Sequence, residues 1–562
     1  MEHLNYSDEW FIWEQNASPM LLTMALTSGF NGLRSYLGSC LFNSLIIFEY
    51  DDKNNYQGRW FYRPDEERIL GQKMLDMLLC PPYLSSFNTG IQVAEELLLN
   101  KAKDIWGSFK HFTLDEALNN FEEFLQRYYD YYKRGWFSEP VQYHIEHLIS
   151  GYLSRNYKGS IPLTEATQAL FTTEEESFTV AIIKNLFECS KVVDNLLVSD
   201  KTFRELVIAT NKNIGSQNHI VDYVFLSGNC KFDLLIKKLQ KHSDEFHWKN
   251  NNYFAASFVS PENIFLDMID ESHISSDGIS QYYSDLLTVI TESKTNHLNI
   301  KSQILLELPS YYRKLIDISN SIGSKMKDSR KRNIMESNSV FDALLRIVSK
   351  ETGVSLEDIH MLIPQELRSF IEDPISYQER FVERRKLFVC IQTDFPLIDE
   401  LINDVDTSAK ERVLSWNIHP MDELYIAEGI VAENVLNRLN MIMNFYDCSE
   451  EPKNGLHGII TFCNASDDII EGVVRILRSP QNEYFLGGEI LVAPTTTPDY
   501  IEAIYKCKAI ITDWGSHTSH AAIISRELKK PCIIGTSFAT HVLKTGQKIR
   551  MDFNCGSIVI ID

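Results

Sequence analysis

The sequence predicts a multidomain α+β protein, with a large, mainly α-helical region over residues 1–450 and a compact strand-rich domain over 455–562. Three observations predict it. The formal charge of −23 is lopsided, because the chain from Gly455 onward carries 11 acidic and 10 basic side chains and the deficit lies before it. Glycine shifts the other way, with 9 of 25 in those last 108 residues. Hydrophobic spacing changes from helical intervals to short β-favouring runs across the polar stretch Cys448-Ser-Glu-Glu-Pro-Lys-Asn454, which reads as a linker over 448–454.

In the first region, Glu116 to Tyr132 sets Leu118, Phe121, Leu125, Tyr128 and Tyr132 at intervals of three and four, one face of a helix. Phe341–Val348 and Ser355–Leu362 read as a helix pair broken at Thr352-Gly353. Ser355-Leu-Glu-Asp358 is a capping box for the second, and Pro364 suits the start of the next helix. Helices of this kind are expected to build an acceptor-binding region of one or two subdomains.

After the linker, Leu456–Phe462, Ile470–Leu477 and Glu489–Ala493 read as strands and Pro498–Cys507 as a helix. Ile510–Asp513 is a short buried strand, Trp514-Gly515-Ser516 a turn, and Thr518–Leu528 a helix burying Ala521, Ile524 and Leu528. Ile533-Ile534, Lys548–Asp552 and Ser557–Ile561 complete the strands.

Composition narrows the function classes. Ten cysteines, at 40, 80, 189, 230, 390, 448, 463, 507, 532 and 555, form no CxxC pair, which points to reduced thiols and no metal site. No run approaches the roughly 18 apolar residues of a membrane span, and Met1–Glu9 has no signal-peptide pattern, so a cytoplasmic location is expected. The strong negative charge disfavours nucleic acid or an anionic membrane as partner.

His520 is the chemistry-bearing residue. It falls in the first turn of a predicted helix, where backbone N–H groups lack intrahelical partners and the helix dipole is positive, so a phosphate is favoured there. An imidazole at that place is either a phosphoryl acceptor or a capping and packing residue.

Gly515-Ser-His-Thr-Ser-His520-Ala-Ala-Ile-Ile524, continuing to Arg526, resembles the phosphohistidine signature of enzymes that exchange phosphate with phosphoenolpyruvate or ATP. These include the dikinases, the phosphoenolpyruvate synthases, rifampicin phosphotransferase and the phosphohistidine subunit of phenylphosphate synthase. Gly488–Ala493, Thr496–Asp499, Lys508–Thr512, Arg526-Glu-Leu528, Pro531–Thr536 and Thr545-Gly-Gln547 resemble successive segments of that family's swivelling domain, and Lys331-Arg332 through Glu366-Leu367 resembles the helical segment preceding it. The resemblance implies a β/β/α phosphohistidine swivelling domain with His520 as the phosphorylated residue. It also implies that Gly515, Ser516 and His517 lie at the phosphate, with Thr518 and Ser519 supplying hydroxyls. Ser516 stands where the family usually has Gly or Ala. His517 reads either as a second donor to phosphate or as a turn residue facing solvent. Arg526 matches the signature arginine, or pairs structurally with Glu527 or Asp513.

Residues 1–450 show no phosphate-binding glycine motif and no ATP-grasp resemblance, so ATP and Mg²⁺ are expected on a separate ATP-grasp-type partner, as in phenylphosphate synthase. The acceptor is then a small molecule bound by residues 1–450. His242 to Tyr253, read as a loop, offers His247 and Lys249 as acceptor-site candidates. Arg330-Lys331-Arg332 and Glu383–Lys386 read as phosphate-receiving clusters or exposed helix faces. Two readings stand: a phosphotransferase relaying phosphate through His520, and a non-catalytic regulatory or scaffolding protein that keeps the fold.

Overall fold

The computed structural model describes residues 11–25, 44–50, 56–62, 64–212, 217–251, 256, 259–270, 278–392, 414–419, 422–430, 432–433, 456–463, 468–478, 480, 485–496, 500–515, 519–536 and 539–561. The proposed linker at 448–454 lies outside them, as do Ser516, His517 and Thr518.

Helix α1 (Leu114–Asn156) starts on a capping box in which Thr113 and Glu116 each satisfy the other's backbone N–H. Of the predicted stripe, Leu118, Phe121, Tyr128 and Tyr132 are buried and Leu125 is half-buried against the same core. Phe121, Phe124 and Tyr128 set their rings 5.1, 4.9 and 5.7 Å from Phe341. Phe341 lies on a later helix, Lys325–Thr352. That helix stops where predicted, because Gly353 takes φ +71°, a conformation a Cβ disfavours. Ser355 then accepts the Asp358 N–H at 3.1 Å, and Pro364 opens the next helical turn.

A sheet that helical periodicity did not announce joins distant parts of this region. Strands β1 (Phe11–Asn16), β2 (Ser44–Tyr50), β3 (Tyr56–Tyr62), β4 (Phe388–Gln392), β5 (Leu414–His419) and β6 (Asp422–Glu428) run antiparallel in the order β1-β3-β2-β4-β6-β5. The β2–β4 pairing sets Ile46 opposite Cys390. Beside it, Arg384 is fully buried with Glu366, and both Arg380 and Arg384 donate to Glu366 and Glu428 at 2.5–2.7 Å.

Two expectations are corrected. Residues 242–253 are not one loop: the apolar positions Leu235, Leu239 and Phe246 continue a helix, Asp233–Phe246, that buries His242, and His247–Asn250 is a 3₁₀ turn. The basic clusters are not simply exposed faces either. Arg384 is buried in the ion-pair cluster, and buried Arg330 reaches Glu139 at 2.9 Å.

The C-terminal part is β-rich as expected. Its strands are β7 (Leu456–His457), β8 (Ile459–Phe462), β9 (Ile469–Ile476), β10 (Ile490–Ala493), β11 (Ala509–Thr512), β12 (Cys532–Ile534), β13 (Lys548–Asp552) and β14 (Ser557–Ile560), ordered β7-β14-β13-β9-β10-β11-β12-β8. β9 to β12 are parallel neighbours, and β10, β11 and β12 are buried along their whole length, as a sheet covered on both faces requires. This domain packs on the helical region through one shared apolar cluster, in which Ile290 joins Leu491 and Ile524. Tyr282 and Tyr505 set rings 4.9 Å apart across the junction, and Ser293 donates to the Arg526 carbonyl at 3.3 Å.

Candidate active site

The site begins where β11 ends. The buried carboxylate of Asp513 accepts from the Thr540 amide and from the hydroxyls of Thr536 and Thr540, tying three segments beneath the turn. Gly515 follows with φ +153°, and a Cβ there would meet the Ser519 hydroxyl at 2.9 Å, so a larger residue would displace the helix cap. Ser519 is that cap: its hydroxyl accepts from the Ala522 N–H. Helix His520–Glu527 therefore opens with His520 at its first position.

His520 is buried, and its Nδ1 lies 3.0 Å from the Thr496 hydroxyl. Its Nε2 is buried with no hydrogen-bond partner among the described residues. An unpaired buried polar atom costs about 1–3 kcal/mol, so such an atom calls for a reason beyond folding. Burial pushes the His520 pKa well below its ordinary value, and the nearby Lys331 ammonium lowers it further. The imidazole is thus neutral. When Nδ1 carries the proton and gives it to Thr496, Nε2 holds a free lone pair beside a helix N-terminus.

Arg526, two turns along, lines a cavity of about 760 Å³ at the junction of the two regions, with Ile523, Ser329 and Arg332 also on its wall. The candidates His247 and Lys249 do not line this cavity, whereas Trp248 between them does. His247 packs edge-on against Trp106 and donates through Nδ1 to the Asp244 carbonyl at 3.3 Å. Thr496 and His297 were not anticipated as site residues, whereas Lys331 belongs to the Arg330-Lys331-Arg332 cluster read as phosphate-receiving or as an exposed face. For Thr496 the family-like segment Thr496–Asp499 was a usable signal; for His297 only the packing of the two regions brings it to the cavity. No group of three or more His, Cys, Asp or Glu side chains placed to hold a metal occurs among the described residues. No helix among them is long and apolar enough to cross a membrane.

Residues 485–556, which hold both Thr496 and His520, match the family model described as PEP-utilising enzyme, mobile domain. Over these residues the chain is similar to a PEP-utilising enzyme mobile domain. The chain is also 32% identical over 215 residues to the uncharacterized phosphotransferase YvkC of Bacillus subtilis (strain 168), covering 38% of this chain and 22% of that one. It is 44% identical over 95 residues to a probable phosphoenolpyruvate synthase of Methanothermobacter thermautotrophicus, covering 17% of this chain and 14% of the relative. Over 86 residues it is 44% identical to the phosphoenolpyruvate synthase of Pyrococcus furiosus, covering 15% and 10%. The chain therefore spans less than a quarter of each of these relatives. The 215 residues shared with YvkC exceed the 108 that follow residue 454, so part of that likeness lies within residues 1–454.

Proposed function

We propose that the chain is a phosphotransferase in which Nε2 of His520 relays a phosphoryl group from ATP, bound by a separate ATP-grasp-type partner, to a small molecule bound by the helical region. The observation that carries the reading is the buried Nε2, left without a partner among the described residues while Nδ1 is held by Thr496 at a helix N-terminus. In the first half-reaction the Nε2 lone pair attacks phosphorus, the bond to the nucleotide oxygen breaks, and the leaving oxygen keeps the electron pair. Nδ1 keeps its proton on Thr496, and the helix N-terminus stabilises the added negative charge. In the second half-reaction the acceptor oxygen takes the phosphoryl group and the electron pair returns to Nε2.

Mg²⁺ would neutralise charge on the nucleotide. The described residues of this chain offer it no carboxylate cluster, and we assign it, with ATP, to the partner. Because His520 is buried at the junction, a donor reaches Nε2 only after the mobile domain separates from the helical region; we therefore infer that residues 455–562 swing between donor and acceptor, turning about 448–454.

The test is phosphorylation of the full chain, first with phosphoramidate as a small donor and then with ATP and candidate ATP-grasp proteins. Phosphate should attach at His520, be lost in acid and survive base, and be absent from His520→Ala. Labelling that persists in His520→Ala and disappears in His517→Ala would overturn the assignment.

A further inference from the structure

We propose that the junction cavity is an effector site for a free aromatic α-amino acid, and that this ligand holds the mobile domain against the helical region. The binding goes beyond the phosphoryl relay and does not depend on it; only the consequence for His520 rests on the function proposed above.

The cavity's 760 Å³ lies within the ordinary range for small-molecule sites. Part of its lining is aromatic: Phe178 and Trp248 pack edge-to-face at 5.4 Å, and Phe246 lies 6.3 Å from Trp248. A flat ring makes good contact with such a surface at little entropy cost. Charges of both signs stand beside these rings, and several are already engaged within the protein. Lys294 donates to the carbonyls of Glu174 and Glu175 at 2.8 and 2.6 Å, Glu176 pairs with Lys184, and Glu95 accepts from Asn333 at 2.6 Å with Arg332 at 3.9 Å.

Two further charges of opposite sign come from different regions. Buried Arg526 belongs to the mobile-domain helix His520–Glu527, and Glu336 to the helix Lys325–Thr352. Burial raises the Glu336 pKa against the pull of Arg332 and Lys103, so this carboxylate gains from an added cation. His297, also on the wall, is buried and neutral, its pKa lowered to about 4 by burial and then by Arg526, so the positive charge at that place is the guanidinium's alone. An aromatic amino acid answers all three features at once. Its ring lies against Trp248 and Phe178, its carboxylate meets Arg526, and its ammonium meets Glu336.

A cavity walled by both regions exists only while they are docked. Ile523 and Arg526 leave it when the mobile domain moves away, so the ligand binds the docked state and shifts the population toward it. His520 is not among the lining residues. The ligand therefore takes no phosphate; it acts by retaining the arrangement in which Nε2 is buried.

The experiment is calorimetry on the full chain with tryptophan, compared with indole, tryptamine, indole-3-propionate and alanine, which lack both charges, the carboxylate, the ammonium and the ring respectively. Tryptophan should bind at least about tenfold more tightly than each of the four. Glu336→Gln should weaken tryptophan about tenfold and leave indole-3-propionate unchanged, and Arg526→Gln should weaken tryptophan about tenfold and leave tryptamine unchanged. Docking is read by hydrogen exchange over Ile501–Lys506, because Tyr505 packs on Tyr282 across the junction and does not line the cavity. Saturating tryptophan should slow that exchange about tenfold, and should slow phosphoramidate labelling of His520 with it. The inference is overturned if tryptophan does not bind, if any of the four analogues binds as tightly, if both variants keep the wild-type affinity, or if tryptophan binds without slowing the exchange. If His520 takes no phosphate with or without tryptophan, the proposed function fails, while calorimetry and exchange still decide this inference.

Discussion

Two buried clusters, one in each region, treat their polar groups in opposite ways. Around Arg384 in the helical region, two guanidinium groups and two carboxylates satisfy one another, and burial's upward push on Glu366 is overcome by Arg384 and Arg380, which hold its pKa below the ordinary value. The mobile domain spends its best hydrogen bonds on Asp513, which shapes the turn, and leaves Nε2 of His520 buried with no partner among the described residues. The first arrangement fits a role in stability, and the second fits the phosphoryl relay we propose for His520. A complete network holds chain segments together, whereas an incomplete one costs free energy that only a reaction or a ligand recovers.

That contrast can be broken by substitution. The largest effect is expected from Glu366→Ala, which leaves Arg384 buried and undercompensated; chemical denaturation should show a loss of about 3–5 kcal/mol, with His520 still labelled by phosphoramidate under folding conditions. A loss under about 1 kcal/mol would show that the ion-pair cluster does not serve stability.

Acid should come next. Burial, and then Lys249, lowers the His242 pKa to about 3; burial, and then Arg526 across the junction, lowers that of His297 to about 4. Both imidazoles are neutral when folded and protonate near 6.5 when unfolded, so the unfolded chain binds more protons below that pH. Stability is therefore expected to fall from pH 6.5 toward 4 by up to about 1.4 kcal/mol per pH unit for each histidine. Urea titrations at several pH values measure the slope, and His297→Gln should remove its own share. A flat profile for wild type would contradict the burial of both rings.

The smallest stability effect should come from Thr496→Val, about 1 kcal/mol, because one hydrogen bond is lost at nearly constant volume. Its labelling by phosphoramidate should nevertheless slow about tenfold, since Nδ1 no longer has the partner that keeps the lone pair on Nε2. Equal losses of stability and labelling in Thr496→Val and Glu366→Ala would erase the distinction between the two regions.

The mobile domain was legible because its information is local. Ala509–Thr512, Gly515, Ser519 and His520 lie within twelve consecutive residues, and strand, turn, cap and helix follow from apolar run, glycine and hydroxyl in that order. The helical region was legible where its signals were local as well: the stripe along Leu114–Asn156, the stop at Gly353 and the Ser355 cap. Residues 242–253 misled because polar composition was read as a loop while the spacing of Leu235, Leu239 and Phe246 continued a helix.

The sequence by itself determined that His520 stands at a helix start, since a helix start and its cap depend on near neighbours. Only the tertiary structure decided what faces that residue. Thr496 reaches Nδ1 from 24 positions away, β2 pairs with β4 from the far end of the helical region, and the Lys331 charge helps to lower the His520 pKa. Such contacts carry no periodic or local signal, because they arise from the way apolar faces of separate elements bury one another, and the shared cluster of Ile290, Leu491 and Ile524 is what brings these polar groups together.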